Sequence, residues 1–127
     1  MEFKELTPKY FDVLLEKGFS SACYSSRGLV EDYFYEKSDY GIRISHDIRD
    51  KMVSIYAYSV KHKDSRFSDH PKEINLWSYL RKAVKGKIEL RPKTQQGIEG
   101  DLEQGLGLVI DYFELIDSQI DSFLEAR

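Results

Sequence analysis

Residues 39–61 alternate apolar with polar side chains, which is the pattern of half-buried β-strands. Ile42 and Ile44 begin the alternation, a polar run interrupts it at residues 46–51, and Val53 resumes it. The pattern predicts a β-hairpin. Because an isolated two-stranded hairpin is marginally stable in water, other parts of the chain must cover its Val and Ile side chains.

Two more strands are predicted before this hairpin. The residues from Phe19 onward, and then residues 29–35, are rich in aromatic and other strand-forming side chains, and Arg27-Gly28 lies between them as a tight connection. Residues 38–41 turn the chain into the hairpin. Four consecutive strands are therefore expected to pair as an antiparallel meander.

Helices are predicted on both sides of the strands. Thr7 is expected to cap a helix over residues 8–17 that stops at Gly18, and a second helix is expected to begin around residues 71–75 and to end at Gly86. The last helix has the clearest pattern, because apolar residues recur on one face over about six turns. These residues are Leu102, Leu106, Val109, Ile110, Phe113, Ile116, Ile120, Phe123 and Leu124.

The expected fold class is therefore α+β, with the order α-β-β-β-β-α-α and the helices over one face of a four-stranded antiparallel meander. A chain of 127 residues with 41% hydrophobic residues is expected to form a single domain, 1–127, with a core that needs no disulfide or metal. Between the last two helices, Ile88 and Leu90 fit a short edge strand, and residues 94–101 are expected to form a mobile loop.

The chain has one cysteine, Cys23, so it cannot form an intramolecular disulfide. No apolar run approaches the roughly 18 residues of a membrane span, and the N-terminus does not resemble a signal peptide. A soluble protein of the reducing cytoplasm is expected.

Charge is distributed unevenly behind a net charge of -3. Residues 61–93 carry 10 Lys and Arg against 4 Asp and Glu, whereas residues 94–127 carry 1 against 8. The two segments either lie close together and neutralise each other, or one of them faces an oppositely charged partner.

The acidic residues of the last helix form a stripe beside and opposite its apolar face. Its members are Asp111, Glu114, Asp117, Asp121 and Glu125. One interpretation is a solvated outer face, and the other is a surface that binds a basic protein partner.

A second candidate surface follows from strand alternation. If Val30, Phe34 and the apolar residues of the hairpin face the helices, the alternate positions face the other way. Those positions are Tyr33, Tyr35, Arg43, Tyr56 and Tyr58. Tyr and Arg are enriched at interface hot spots, although tyrosines also cover one another in cross-strand pairs.

No catalytic, metal or cofactor motif is found. His46, His62 and His70 lie in or beside predicted loops without metal-ligand spacing, and Cys23 is expected to be a buried thiol. The chain is therefore expected to be neither an enzyme nor a metalloprotein, and to need no cofactor. The less favoured alternative is a nucleic-acid-binding domain, because the basic segment 61–93 has aromatic residues on which bases could stack, but the net negative charge of the chain argues against it.

Four short motifs follow one another along the predicted sheet. They are a tyrosine-bearing strand at Tyr33–Tyr35, an I-x-I strand at Ile42–Ile44, an Asp-x-Arg turn at Asp47–Arg49 and a V-x-I strand at Val53–Ile55. With the flanking helices, this succession resembles the small bacterial immunity proteins that accompany polymorphic toxins. The resemblance implies a cytoplasmic, non-enzymatic protein that binds a toxin domain and blocks it.

Toxin nuclease domains are commonly basic because they bind phosphate backbones, so a basic, nuclease-like toxin domain is the expected partner. The alternative function is a small-molecule-binding or enzymatic α+β domain with its site near the 87–101 loop. The sequence leaves a homodimer open.

Overall fold

The structure, a computed structural model, describes residues 2–20, 23–61, 72–84 and 97–126. In these ranges the helices are α1 (Phe3–Phe11), α2 (Leu76–Ala83), α3 (Gly97–Asp111) and α4 (Phe113–Glu125), with a 3-10 helix at Asp12–Lys17. The strands are β1 (Cys23–Arg27), β2 (Val30–Glu36), β3 (Tyr40–Asp47), β4 (Met52–Ser59) and β5 (Glu73–Asn75).

The α+β class and the antiparallel sheet are confirmed, but the order of elements differs in detail. The described strands pair in the order β1-β2-β3-β4-β5, so the sheet has five strands where four were expected. The fifth has only three residues, too few to show an alternating pattern. Its last residue, Asn75, also caps α2, because its Oδ1 accepts hydrogen bonds from the backbone N–H groups of Trp77 and Ser78.

The first helix begins earlier than the Thr7-Pro8 signal predicted. It starts at Phe3, and the backbone N–H of Glu2 donates to Glu5 Oε1 at 3.2 Å. Phe3 and Leu6 are buried on the core side of this first turn. Burying these apolar side chains outweighs the local capping signal, and Pro8 is left inside the helix.

A proline inside a helix has no N–H for the carbonyl four residues before it. Here that carbonyl belongs to Lys4, and the Tyr33 hydroxyl donates to it at 2.5 Å. A side chain of β2 therefore supplies the donor that α1 lacks. This bond joins the first helix to the sheet at the carbonyl that Pro8 leaves without a backbone donor.

The helix-facing side of the sheet contains the apolar residues of the hairpin, as predicted. Ile42, Ile44, Ile55 and Ala57 are buried in one hydrophobic cluster with residues from all four described α-helices. The prediction for β2 is wrong by one residue. In the observed register Tyr33 lies opposite Ile44 and Tyr35 opposite Ile42, so the tyrosines, and not Val30 and Phe34, face the helices.

Tyrosines on this side anchor other elements by their hydroxyl groups. Tyr35 donates to Asp12 Oδ1 of the 3-10 helix at 2.9 Å, and Tyr40 donates to Asp117 Oδ1 of α4 at 3.0 Å. Burial, together with these carboxylates, raises the pKa of both phenols above its ordinary value. Both side chains therefore remain neutral hydrogen-bond donors at pH 7.

The single long final helix is observed as two helices with a break at Tyr112. The apolar period continues across the break, so periodicity alone could not detect it. Helix α3 lies close to the sheet at Gly105, where a Cβ atom would come within 2.3 Å of Ile55 Cδ1. Residues 97–101 belong to the first turns of α3, so the loop predicted there is wrong. Residues 94–96, Ile88 and Leu90 lie outside the described ranges.

The bond between Tyr33 and Lys4 can be tested by a double-mutant cycle with Pro8. Tyr33→Phe leaves the Lys4 carbonyl without a donor and is expected to reduce the free energy of unfolding by about 1–3 kcal/mol. In a Pro8→Ala background the backbone N–H of the introduced alanine can donate instead, so the same substitution should cost less. Urea unfolding, monitored by the fluorescence of Trp77, measures the cost of Tyr33→Phe in both backgrounds.

Tyr79→Phe is the matched control, because Tyr79 is buried and its hydroxyl makes no hydrogen bond to a described residue. It should change stability little. An equal cost of Tyr33→Phe in the parent and in the Pro8→Ala background would show that the hydroxyl does not replace the missing donor.

Candidate functional site

The side of the sheet that faces away from the core carries a separate set of side chains, called here the second face. Strand alternation and register place its members on β2 to β5. They include Asp32, Phe34, Arg43, Ser45, Ser54, Tyr56, Tyr58 and Glu73. Phe34 and Tyr58 are buried but do not belong to the hydrophobic cluster of the helix side, so the second face packs separately from the core.

Arg43 lies at the centre of the second face and is only 1% exposed. Its Nε and Nη2 donate to Glu73 Oε2 and Oε1, both at 2.9 Å, which is a bidentate pair. Its Nη1 donates to Asp32 Oδ1 at 2.6 Å. The guanidinium also stacks over the Tyr56 ring, 4.3 Å from its centre, and Arg27 Nε completes the network by donating to Asp32 Oδ2 at 3.1 Å.

Burial and charge pairing oppose each other in this network. Burial lowers the pKa of the Arg43 guanidinium, but the hydrogen bonds and charges of Glu73 and Asp32 outweigh it, so the pKa is raised. Burial raises the pKa of Glu73, and the attraction of Arg43 offsets this only in part. Arg43 interacts with two carboxylates whereas Glu73 shares one guanidinium, which explains why pairing dominates for one partner and burial for the other. Arg43 is firmly charged.

The predicted exposed surface of four tyrosines and Arg43 is wrong. Tyr33 and Tyr35 lie in the core, Arg43 and Tyr58 are buried, and Tyr56 is partly buried. The cause is the register of β2: Asp32 faces Arg43, so the alternate positions of the strand, Tyr33 and Tyr35, must point to the helices. Sequence alternation could not choose between the two faces of β2, because both contain large apolar or aromatic residues.

Tyr58 is held in place by a glycine and a carboxylate. Its ring covers Gly41, where a Cβ atom would lie 2.3 Å from Tyr58 Cζ, so a larger residue at this position would have to displace the ring. Its hydroxyl donates to Glu36 Oε2 at 2.7 Å. Tyr58 is therefore a packing residue and not an open contact residue.

The second face also contains a cleft of about 250 Å³. Its floor is the cross-strand pair Ser45 and Ser54, whose side chains are short. The described residues around this floor are Arg27, Val30, Arg43, Asp47, Met52 and Tyr56. The cleft arises because two serines lie between rows of larger side chains.

The predicted acidic stripe divides into an open part and a part used within the molecule. Asp111 and Glu114 are exposed on either side of the break between α3 and α4. No described Lys, Arg or His forms an ion pair with either of them. Glu103 of α3 is exposed in the same way.

The other three carboxylates of the stripe take part in internal packing. Asp117 accepts a hydrogen bond from Lys37 Nζ at 2.9 Å as well as from Tyr40. Asp121 is partly buried, and Glu125 Oε1 lies 3.5 Å from the Ser59 hydroxyl. Asp117 and Glu125 thus link α4 to the sheet, and these three carboxylates are less available to a partner than Asp111 and Glu114.

A hydrogen-bonded group on the helix side was not predicted from the sequence. His46, which the sequence places in or beside a loop, is a buried residue of β3, with its Nδ1 2.8 Å from Glu31 Oε2 and its ring stacked on Phe3. Tyr24 donates to Glu31 Oε1 at 2.7 Å, and this bond, with some burial, raises the pKa of Tyr24 to about 12. At neutral pH this tyrosine is a donor and not a base. Knowing that Glu31 pairs with His46 in the sheet would have revealed the contact.

Other chemistry-bearing residues are placed as follows. Cys23 is exposed, contrary to the prediction of a buried thiol. No three His, Cys, Asp or Glu side chains in the described part of the chain are arranged to hold a metal ion. No helix within those ranges is long and apolar enough to span a membrane. His62 and His70 lie outside the described residues, as does most of the basic segment 61–93.

Comparisons of the chain with known protein families, with curated proteins and with solved structures returned no match. The function is therefore argued from the charges and geometry of the molecule itself.

The buried charge network predicts a pH-dependent effect of Arg43→Met. Without Arg43, two carboxyls remain buried, and the loss is expected to cost about 3–5 kcal/mol of unfolding free energy at pH 7.5. The folded-state pKa of Glu73, already raised, should rise further above its unfolded value of about 4.3. A raised carboxyl pKa favours folding below the unfolded pKa, and this contribution is lost as pH rises through the folded pKa.

The cost of Arg43→Met should therefore be smaller at pH 4.5 than at pH 7.5, by at least about 1.4 kcal/mol, the equivalent of one pKa unit. Urea unfolding at both pH values measures it. Arg27→Met is the control, since the Arg27 side chain is 41% exposed, and it should cost less at both pH values. A pH-independent cost of Arg43→Met would mean that the carboxyls are not left charged and buried.

Proposed function

We propose that this chain is a non-catalytic protein-binding domain of the immunity type, which binds and neutralises a basic, nuclease-like toxin domain in the cytoplasm. The observation that supports this most is an open acidic surface on α3 and α4. We define the acidic surface as Glu103, Asp111 and Glu114 together with Ile110. All four are exposed, and Ile110 is 37% exposed although it is a large apolar side chain.

The charge of this surface is not balanced within its own helices. Residues 97–126 contain eight Asp and Glu and no Lys or Arg. Carboxylates that point outward attract a basic protein over a distance and orient it before contact. An exposed apolar side chain among them then offers area that is buried when the partner docks. Outward carboxylates beside an exposed apolar side chain suit a partner with a basic surface, such as a protein that binds phosphate backbones.

The other partner classes gain less support from the described residues. A homodimer through the acidic surface would bring like charges together, which is unfavourable. The alternative small-molecule or enzymatic site near residues 87–101 falls mainly outside the described ranges, and residues 97–101 are helical. Nucleic acid would be bound by the basic segment 61–93, and the described part of that segment contributes only four cationic side chains to such a surface. They are Lys61, Lys72, Arg81 and Lys82.

The proposal predicts a charge effect on association. The probe is the purified protein encoded by the gene adjacent to that of this chain, immobilised for biolayer interferometry. Glu114→Lys is expected to slow association by about fivefold at low ionic strength and to flatten its dependence on salt, since steering by charge changes the association rate. Stability should change little because Glu114 is exposed.

Asp50→Lys is the matched control, with the same change in net charge. Asp50 is exposed in the turn between β3 and β4, and its side chain forms no ion pair with a described residue. It should slow association by less than about twofold if steering is local to the acidic surface. Equal effects of both substitutions would show that net charge alone matters. An unchanged rate for Glu114→Lys would place the contact elsewhere.

A further inference from the structure

The cleft on the second face has a defined chemical lining. Its floor carries the hydroxyl groups of Ser45 and Ser54, and neither hydroxyl has a hydrogen-bond partner among the described residues. One wall contains Asp47, whose Oδ1 accepts the backbone N–H of Asp50 at 3.0 Å. The second oxygen of this carboxylate has no partner in the described part of the chain. Three oxygen acceptors therefore border one small space.

The charges around the cleft favour a cation over an anion. Arg43 lines the cleft, but its charge is compensated by Asp32 and Glu73. Arg27, which also lines the cleft, pairs with the same Asp32. Asp32 and Glu73 lie behind the lining, and when they are counted with Arg27, Arg43 and Asp47, two cationic and three anionic side chains leave an excess of one negative charge. An anion in the cleft would lie beside the Asp47 carboxylate and be repelled by it.

The apolar part of the lining suits a short aliphatic chain. Val30, Met52 and the Tyr56 ring form walls beside the serine floor. A cavity of about 150 Å³ accepts benzene, so the 250 Å³ of this cleft has room for the side chain of lysine. An ammonium group has three donors and no acceptor, which matches the three oxygens at the floor and wall.

We propose that this cleft binds an alkylammonium group, with the ammonium at Ser45, Ser54 and Asp47 and the aliphatic stem against Val30, Met52 and Tyr56. Such a group is carried by a lysine side chain or by a free aliphatic amine. The proposal does not depend on the proposed function, because the cleft and the acidic surface lie on different sides of the sheet.

The test observes the cleft directly through Met52. The chain has only two methionines, Met1 and Met52, so protein labelled with 13C at the methionine methyl groups gives two NMR signals, one of which reports on the cleft. N-acetyl-lysine methylamide and butylamine are titrated separately. Either amine is expected to shift the Met52 signal in a saturable way at millimolar concentration. Tighter binding of the lysine derivative would assign the site to a protein lysine, and tighter binding of butylamine to a free amine.

Three controls make the result specific. N-acetyl-norleucine methylamide, which has the stem without the charge, should bind at least about tenfold more weakly, since its binding lacks a charge-assisted contact worth at least about 1.4 kcal/mol. Asp47→Asn should weaken amine binding by a similar factor, and Ser54→Leu should abolish it by filling the cleft. Ser25→Leu, on the same face of β1 but outside the cleft lining, should bind as the parent does.

The proposal is overturned if neither amine shifts Met52, if norleucine and lysine derivatives bind equally, or if sodium acetate shifts the signal in place of the amines. Because Asp47→Asn retains the shape of the side chain, amine binding by this variant still tests the proposal if Ser54→Leu does not fold.

Discussion

The buried guanidinium of Arg43 is the constraint on which the sheet depends. A charge in the middle of a sheet is tolerated only when carboxylates surround it, because burying an unpaired charge costs several kcal/mol. Asp32 on β2 and Glu73 on β5 supply these carboxylates. The need to place Asp32 toward Arg43 selects which side of β2 faces the core. Tyr33 and Tyr35 then point to the helices, where they bind the Lys4 carbonyl and Asp12.

This arrangement also determines which surfaces are left for a partner. The charges of Arg43, Asp32 and Glu73 compensate one another inside the second face, and the tyrosines of the sheet serve packing and helix anchoring. Further along the chain, Asp117 binds Lys37 and Tyr40. The carboxylates of the acidic surface, in contrast, form no ion pair with a described Lys, Arg or His. The functional proposal rests on that surface and not on the sheet.

Much of the fold follows from the sequence pattern, and each wrong prediction has a physical cause. The hairpin faces could be predicted because Ile42 to Ile44 and Val53 to Ile55 alternate with polar residues. The face of β2 could not, since the choice depends on a pairing of Asp32 with Arg43 that is distant in sequence. Helix α1 began earlier than its Thr7-Pro8 signal because buried Phe3 required it. Of the candidate site residues, Asp111 and Glu114 are exposed as expected, whereas the burial of Arg43 and Tyr58 depends on tertiary contacts.

The central functional claim is that this chain neutralises a toxic protein. A growth assay tests it most directly: the protein encoded by the adjacent gene is expressed in a bacterial host alone, and then together with this chain. The account predicts that growth is arrested by the adjacent protein alone and restored by co-expression of this chain. If the adjacent protein is harmless, or if it remains toxic although this chain is present and folded, the immunity-type function is contradicted.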